Sequence, residues 1–176
     1  MIASPEDQYS KVITMELRFC KVTIAGSLAL FALLCGIDNL ADYDTNYAFV
    51  SHVLSMDTTY AGNALRSRAI TDPALSQGAY LLIIGVELLT GACYLAASVQ
   101  MLRRLRAAAS VFNAGKRPFY LATGLAFSLW FTGFTAVAGE WFQMWQSTQW
   151  NGQEPAFRFY ITALVAAIFV GTKDTD

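Results

Sequence analysis

Four long apolar runs constrain this chain more than any other feature. They cover residues 22–37, 78–99, 119–139 and 156–171; Arg158 lies near the start of the fourth, and Glu87 is the one charge in the second. A membrane-spanning helix needs about 20 mostly apolar residues, and an ionised group at the bilayer centre costs roughly 3 kcal/mol. The sequence therefore predicts an all-α fold, a four-helix transmembrane bundle forming a single integral membrane domain over residues 1–176.

The charges that flank these runs predict an orientation. The connections are a long first outer loop at 38–77, a cytoplasmic loop at 100–118 and a shorter second outer loop at 140–155. Lys and Arg are retained on the cytoplasmic side during insertion. They concentrate on the side of the two termini: Lys11, Arg18, Lys21, Arg103, Arg104, Arg106, Lys116, Arg117 and Lys173, against Arg66, Arg68 and Arg158 on the other side. We therefore expect both termini in the cytoplasm.

The composition excludes several classes of partner and fold. Only 14% of the residues are charged, whereas soluble domains average about 25%. This low share argues against an ordinary soluble domain. The net charge is -1, so there is no basic excess to neutralise a phosphate backbone. We therefore expect membrane lipids as partners and no nucleic acid.

Small residues recur on the apolar runs at helical spacing. Such stripes allow membrane helices to approach closely. The first run carries Ala25, Ala29, Ala32 and Gly36, the second Gly78, Gly85 and Gly91, and the third Gly124 and Ser128. The stripes predict contacts between helices, within this chain or with a partner.

Glu87 is the only ionisable group near the middle of an apolar run. Burying such a group in a membrane is costly, so its presence suggests a function. It is suited to carry a proton, to bind a cation, or to donate a hydrogen bond to a quinone or lipid carbonyl. The structural alternative is a protonated Glu paired with a hydroxyl of the third run: Thr123, Ser128 or Thr132.

The first outer loop is unusually long and combines a short apolar pattern with acidic residues. Phe49, Val53 and Met56 fall at i, i+4 and i+7, which predicts a short amphipathic helix on the outer surface. The only histidine and nearby acids form a candidate polar or metal site: Asp38, Asp42, His52, Asp57 and Glu140, the last from the second loop. A single histidine is weak support for a metal, so metal is disfavoured as a cofactor. A bound lipid or quinone stays open.

The second outer loop is rich in tryptophan. Its candidate partner-binding residues are Trp141, Met144, Trp145 and Trp150. Two interpretations stay open, because tryptophan is enriched both in the headgroup region of membranes and at protein interfaces.

Two segments carry a resemblance to a known family. They are Asn39, Asp42-Tyr43, Asn46-Tyr47, Phe49-Val50, His52-Val53 and Met56-Asp57 in the first, and Glu140-Trp141-Phe142, Met144-Trp145-Gln146-Ser147, Trp150-Asn151-Gly152-Gln153 and Ala156-Phe157-Arg158 in the second. With these motifs the chain resembles the bacterial predicted small integral membrane proteins filed under a domain of unknown function. The resemblance implies a four-helix protein of the bacterial inner membrane and no particular activity.

These features together favour a non-catalytic role. We expect an accessory or structural subunit of a larger membrane complex, such as one of respiratory or photosynthetic electron transfer, or a homo-oligomer, that binds through the aromatic outer face. The alternatives are an outward-facing protein that binds a small ligand or metal, and a quinone-handling or proton-handling protein that uses Glu87.

Overall fold

The computed structural model describes the backbone of residues 5–175 and the side chains of residues 14–175. Lys11 therefore lies outside the described side chains. Within this part the structure is helical and has no strand. The helices are α1 (Pro5–Ala41), α2 (Tyr43–Ser55), α3 (Pro73–Arg103), α4 (Ala109–Ala114), α5 (Arg117–Phe127), which continues directly into a π-helix (Ser128–Trp141), and α6 (Gln153–Gly171); two short 3-10 turns cover Arg66–Arg68 and Met144–Gln146.

Four stretches of this helical structure are long and apolar enough to cross a membrane. They are Thr14–Ala41, Pro73–Arg103, Ala109–Trp141 and Gln153–Gly171. Many large apolar side chains point away from the bundle, with Leu30, Leu82 and Ile168 each more than 60% exposed. The predicted all-α, four-helix architecture is confirmed. We call the end that holds the start of α1 and the end of α6 the terminal end, and the opposite one the loop end.

The helices are longer than the apolar runs that predicted them. The prediction ended the first helix at residue 37, whereas α1 continues to Ala41. It began the second at residue 78, whereas α3 begins at Pro73, where the Asp72 side chain caps the helix by accepting a hydrogen bond from the Ala74 backbone amide at 2.8 Å. Polar residues stop an apolar run but do not stop a helix, because helical hydrogen bonds need no apolar side chain.

The small-residue stripe of α1 packs inside the chain. Ala25, Ala29 and Ala32 are almost completely buried. Gly36 faces Leu88 of α3, where a side-chain carbon would lie 2.7 Å from the nearest leucine atom. Reciprocally, a carbon at Gly91 of α3 would lie 2.6 Å from the Leu33 side chain and 2.9 Å from its backbone nitrogen. Contact within the chain is thus confirmed for α1 and Gly91.

The other predicted small residues are not at close contacts. A side-chain carbon at Gly78, Gly85 or Gly124 would meet nothing within 4 Å. These three glycines therefore do not hold the helices together inside the chain.

A buried ionic cluster closes the terminal end. Asp174 accepts hydrogen bonds from Lys21 at 2.8 Å and Lys116 at 2.5 Å, and the Arg18 guanidinium lies 3.8 Å from its other oxygen. Burial alone would raise the pKa of Asp174, but the hydrogen bonds and charges of the two lysines outweigh it and lower the pKa below its usual value. The cluster fixes the end of the chain against α1 and the start of α5.

The two loops at the other end pack together into one cap. The predicted short helix is present as α2, but its apolar face packs on protein: Val53 and Met56 are buried with Phe142 and Met144 in one cluster. The Thr58 hydroxyl donates to Ser147 at 2.9 Å, which joins the two loops directly. The loop end is therefore a folded layer over the helices.

We predict that the close approach of α1 and α3 makes Gly91 intolerant of a side chain. Gly91→Ala should lower the free energy of unfolding by about 1–3 kcal/mol, because the added carbon would press on the Leu33 backbone. Gly85 lies on the exposed side of the same helix, where an added carbon meets nothing within 4 Å. Gly85→Ala should therefore leave the free energy of unfolding unchanged or raise it by about 0.5–1 kcal/mol. Denaturant or thermal unfolding in mild detergent measures both changes. Equal effects of the two substitutions would contradict the packing described here.

Candidate functional site

A cavity of about 210 Å³ lies in the loop-end half of the bundle, and we call it the polar cavity because a few polar side chains line it. Its walls come from α1, α2, α3, the π-helix and the start of α6. Among its lining residues are Asn39, Asn46, Tyr80 and Glu87. Glu87 is only 4% exposed, so its carboxyl group is held inside the bundle at the edge of this cavity.

A hydrogen-bond network between α1 and α3 holds Glu87. The Asn39 side-chain amide donates to the Glu87 carboxyl group at 2.7 Å, and the Tyr80 hydroxyl donates to the Asn39 backbone oxygen at 2.6 Å. The network satisfies polar groups that would otherwise be costly to bury.

The prediction that a hydroxyl of the third run pairs with Glu87 is wrong. Its partner in the structure is Asn39 of α1 and not a residue of the third run. Thr123 instead donates to the Phe119 backbone oxygen at 3.0 Å and lies 3.1 Å from the Tyr94 hydroxyl. It is engaged toward the terminal end of the bundle.

Asn39 and Tyr80 were not predicted as neighbours of Glu87, although helical spacing could have found both. Asn39 follows Ala32 and Gly36 at i+7 and i+3, on the stripe that faces α3. The buried face of α3 carries Tyr80, Ile84, Glu87, Gly91 and Tyr94. Extending the first helix by one turn would have placed Asn39 on this face, and Tyr80, seven residues before Glu87, lay within the predicted second helix.

An apolar cavity of about 410 Å³ adjoins the polar one. Phe49, Val50, Ile83 and Phe134 line both cavities. Other walls of the apolar cavity come from α3 and the π-helix, among them Leu82 and Val137, which are 68% and 44% exposed. Because these side chains also lie on the outside of the bundle, the cavity opens on its apolar surface.

The π-helix shapes the apolar cavity. Its hydrogen bonds close five residues back, as between the Phe142 amide and the Val137 oxygen at 3.0 Å, so residues about four to five apart share a face. The cavity-lining residues of this segment, together with Phe142 directly after it, recur mostly four residues apart: Ser128, Leu129, Thr132, Gly133, Phe134, Val137, Ala138 and Phe142. π-helical turns occur frequently at functional sites.

The candidate polar or metal residues do not gather into one site. His52 and Asp57 contact each other, with the His52 Nδ1 atom 2.7 Å from the Asp57 carboxyl oxygen. Asp38, Asp42 and Glu140 are exposed. Among the residues whose side chains are described, no group of three or more His, Cys, Asp or Glu is placed to hold a metal ion. The geometry thus gives a His–Asp pair and no ligand set.

The candidate partner-binding residues divide into two pairs. Trp141 and Trp145 are 54% and 44% exposed at the loop end. Met144 is buried in the cap, and Trp150 stacks on the His52 ring with a centroid distance of 4.7 Å. Met144 therefore belongs to the core of the cap, and the exposed residues among the four candidates are Trp141 and Trp145.

Comparison with protein families agrees with this architecture. A family described as predicted small integral membrane protein (DUF2165) matches residues 17–173. The chain belongs to this family. The match confirms the resemblance drawn from the Asn39–Asp57 and Glu140–Arg158 motifs. No curated protein and no solved structure matches the chain.

Membership in DUF2165 establishes a small integral membrane protein and names no activity. The matched residues include both segments of the loop end, and also Asn39 and Glu87. The two cavities and the carboxyl group between the helices are therefore the features of this DUF2165 protein that bear on its function.

We predict that Asn39 and Glu87 are energetically coupled. Asn39→Leu should lower the free energy of unfolding by about 1–3 kcal/mol, because it leaves the buried carboxyl group without its donor. Adding Glu87→Leu should recover most of that loss, since replacing both partners by apolar groups removes the unmet hydrogen bond. Unfolding of the single and double variants in detergent gives the coupling.

Asn46→Leu is the matched control for this cycle. Asn46 lines the same cavity, but its amide donates to the Asp42 backbone oxygen within α2. Its substitution should change stability by only about 0.5 kcal/mol. Strictly additive effects of Asn39→Leu and Glu87→Leu would contradict the network.

Proposed function

We propose that this DUF2165 protein is a non-catalytic membrane protein that binds an amphipathic small molecule in the loop-end half of its bundle. The observation that carries the proposal is the adjoining pair of cavities, one apolar and one containing the carboxyl group of Glu87. A lipid or a quinone has the required combination of a polar head and an apolar body. The geometry thus supports the ligand-binding alternative better than the subunit role that the sequence put first.

The sizes of the cavities support this function. Sites for small molecules and cofactors occupy about 300–1,000 Å³ and are mostly apolar, with a few placed polar groups. The apolar cavity of about 410 Å³ falls in this range. The polar cavity supplies the few polar groups, among them Glu87, Asn39 and Tyr80. Because this cavity opens on the apolar surface of the bundle, the apolar body of a ligand can enter it from the bilayer.

The proposed setting is the bacterial inner membrane, with both termini in the cytoplasm and residues 38–77 and 140–155 in the periplasm. The charges of Arg18, Lys21 and Lys116 support it, because all three meet Asp174 at the terminal end. Positive residues are favoured on the cytoplasmic side. The polar cavity would then lie toward the periplasm.

The test is to release the protein from its native membrane in mild detergent and to identify bound molecules by native mass spectrometry. We expect one bound small molecule in the wild-type protein. Gly133→Leu should abolish its binding, because Gly133 lines the apolar cavity and has room for a side-chain carbon there. Gly124→Leu should retain it, since Gly124 lies on the same long helix in open space away from both cavities.

Two results would contradict this function. One is a wild-type protein that carries no small molecule. The other is equal occupancy in Gly133→Leu and Gly124→Leu, which would place the molecule outside the cavity.

A role as an accessory subunit is the second candidate, supported by the exposure of Trp141 and Trp145 on the cap. Exposed tryptophans at a protein surface are typical of interfaces. The same purified sample distinguishes this role: stoichiometric partner polypeptides that are lost on Trp141→Ala and Trp145→Ala would support it. A chain that elutes alone would count against it.

A further inference from the structure

The charge of the polar cavity selects among possible ligands. Glu87 is the only Asp or Glu among its described lining residues, which include no Lys, Arg or His. When it is ionised, the Glu87 carboxyl group repels an anion and attracts a cation. Fatty acids and phosphate groups therefore fit the cavity poorly.

The hydrogen bonds of the cavity select further. The Asn39 amide, the Asn46 amide and the Tyr80 hydroxyl each already donate to atoms of the protein. The Glu87 carboxyl group accepts from Asn39, whereas a carboxylate has about four acceptor positions. The Glu87 carboxyl group thus keeps acceptor positions for a ligand that donates hydrogen bonds, while the second N–H of each amide and the indole N–H of Trp130 are available to an acceptor.

Aromatic rings form much of the remaining wall. Five of the 13 lining residues are aromatic: Phe49, Tyr80, Trp130, Phe134 and Phe159. Trp130 and Phe159 meet edge to face with ring centroids 5.5 Å apart. Aromatic faces attract cations through their quadrupoles, and this attraction is stronger away from water. A carboxylate beside aromatic walls is suited to an organic cation.

We infer that the polar cavity binds a protonated alkylamine, with its ammonium group donating to Glu87 and its alkyl chain in the adjoining apolar cavity. This inference rests on the proposed function and names the class of its ligand. The ammonium group of a free amine and that of an ethanolamine lipid share this chemistry. The lining favours the free amine, because it offers no basic side chain to the lipid phosphate.

The test compares octylammonium with 1-octanol, a neutral analogue of the same length, by isothermal titration of the detergent-purified protein against a protein-free detergent blank. Octylammonium should bind at least about tenfold more tightly to the wild-type protein, because charge-assisted hydrogen bonds are the stronger ones. Glu87→Gln should remove this preference at nearly constant shape. Glu154→Gln should keep it, since Glu154 is exposed and paired with Arg158 outside the cavity.

Equal binding of the two amphiphiles to the wild-type protein would overturn the inference, and this comparison needs no variant. Unchanged octylammonium binding in Glu87→Gln would overturn it as well. If octanol binds equally and is lost in Gly133→Leu, the proposed function stands and only the cationic class is wrong. If neither amphiphile binds and the native protein carries no small molecule, both fail.

A short-chain phosphatidylethanolamine distinguishes the sources of the ammonium group. We expect it to displace octylammonium only weakly. Displacement at equal or lower concentration than free octylammonium would overturn the assignment to a free amine.

Discussion

The hydrogen bond from the Asn39 amide to the Glu87 carboxyl group is the interaction on which the loop-end half of the bundle depends. In an apolar surrounding, an unsatisfied polar group costs several kcal/mol, so Glu87 has to be met by a partner from another helix. That partner ties the end of α1 to the middle of α3. Tyr80 extends the link by donating to the Asn39 backbone. The same bond holds a carboxyl group at the edge of a cavity.

The π-helix is the second element that shapes this region. Its wider turns bring Gly133, Val137 and Phe142 onto one face toward α2 and α3. At its far end, Gly139 leaves room for Gln153 at the start of α6. Close packing near α6 and an open space near α3 thus arise from one helix. This arrangement places an apolar cavity beside the polar one that contains Glu87.

The sequence predicted the bundle because charge-free runs and the Ala25–Gly36 stripe are local patterns that the membrane requires. It also pointed to Glu87, since a charge is conspicuous in an apolar run. It missed Asn39 because the prediction ended the helix at the first acid, Asp38, whereas α1 continues to Ala41. It could not predict the π-helix, whose spacing differs from the assumed one, or the burial of Met144, which follows from the packing of two loops distant in sequence.

Ligand binding beside Glu87 can be seen directly in a crystal structure of the protein purified from its native membrane. We expect a bound molecule in the polar cavity, with a donor group at hydrogen-bond distance from the Glu87 carboxylate and an apolar part between α3 and the π-helix. A cavity filled by the protein's own side chains, with Glu87 bonded only to protein groups, would contradict it.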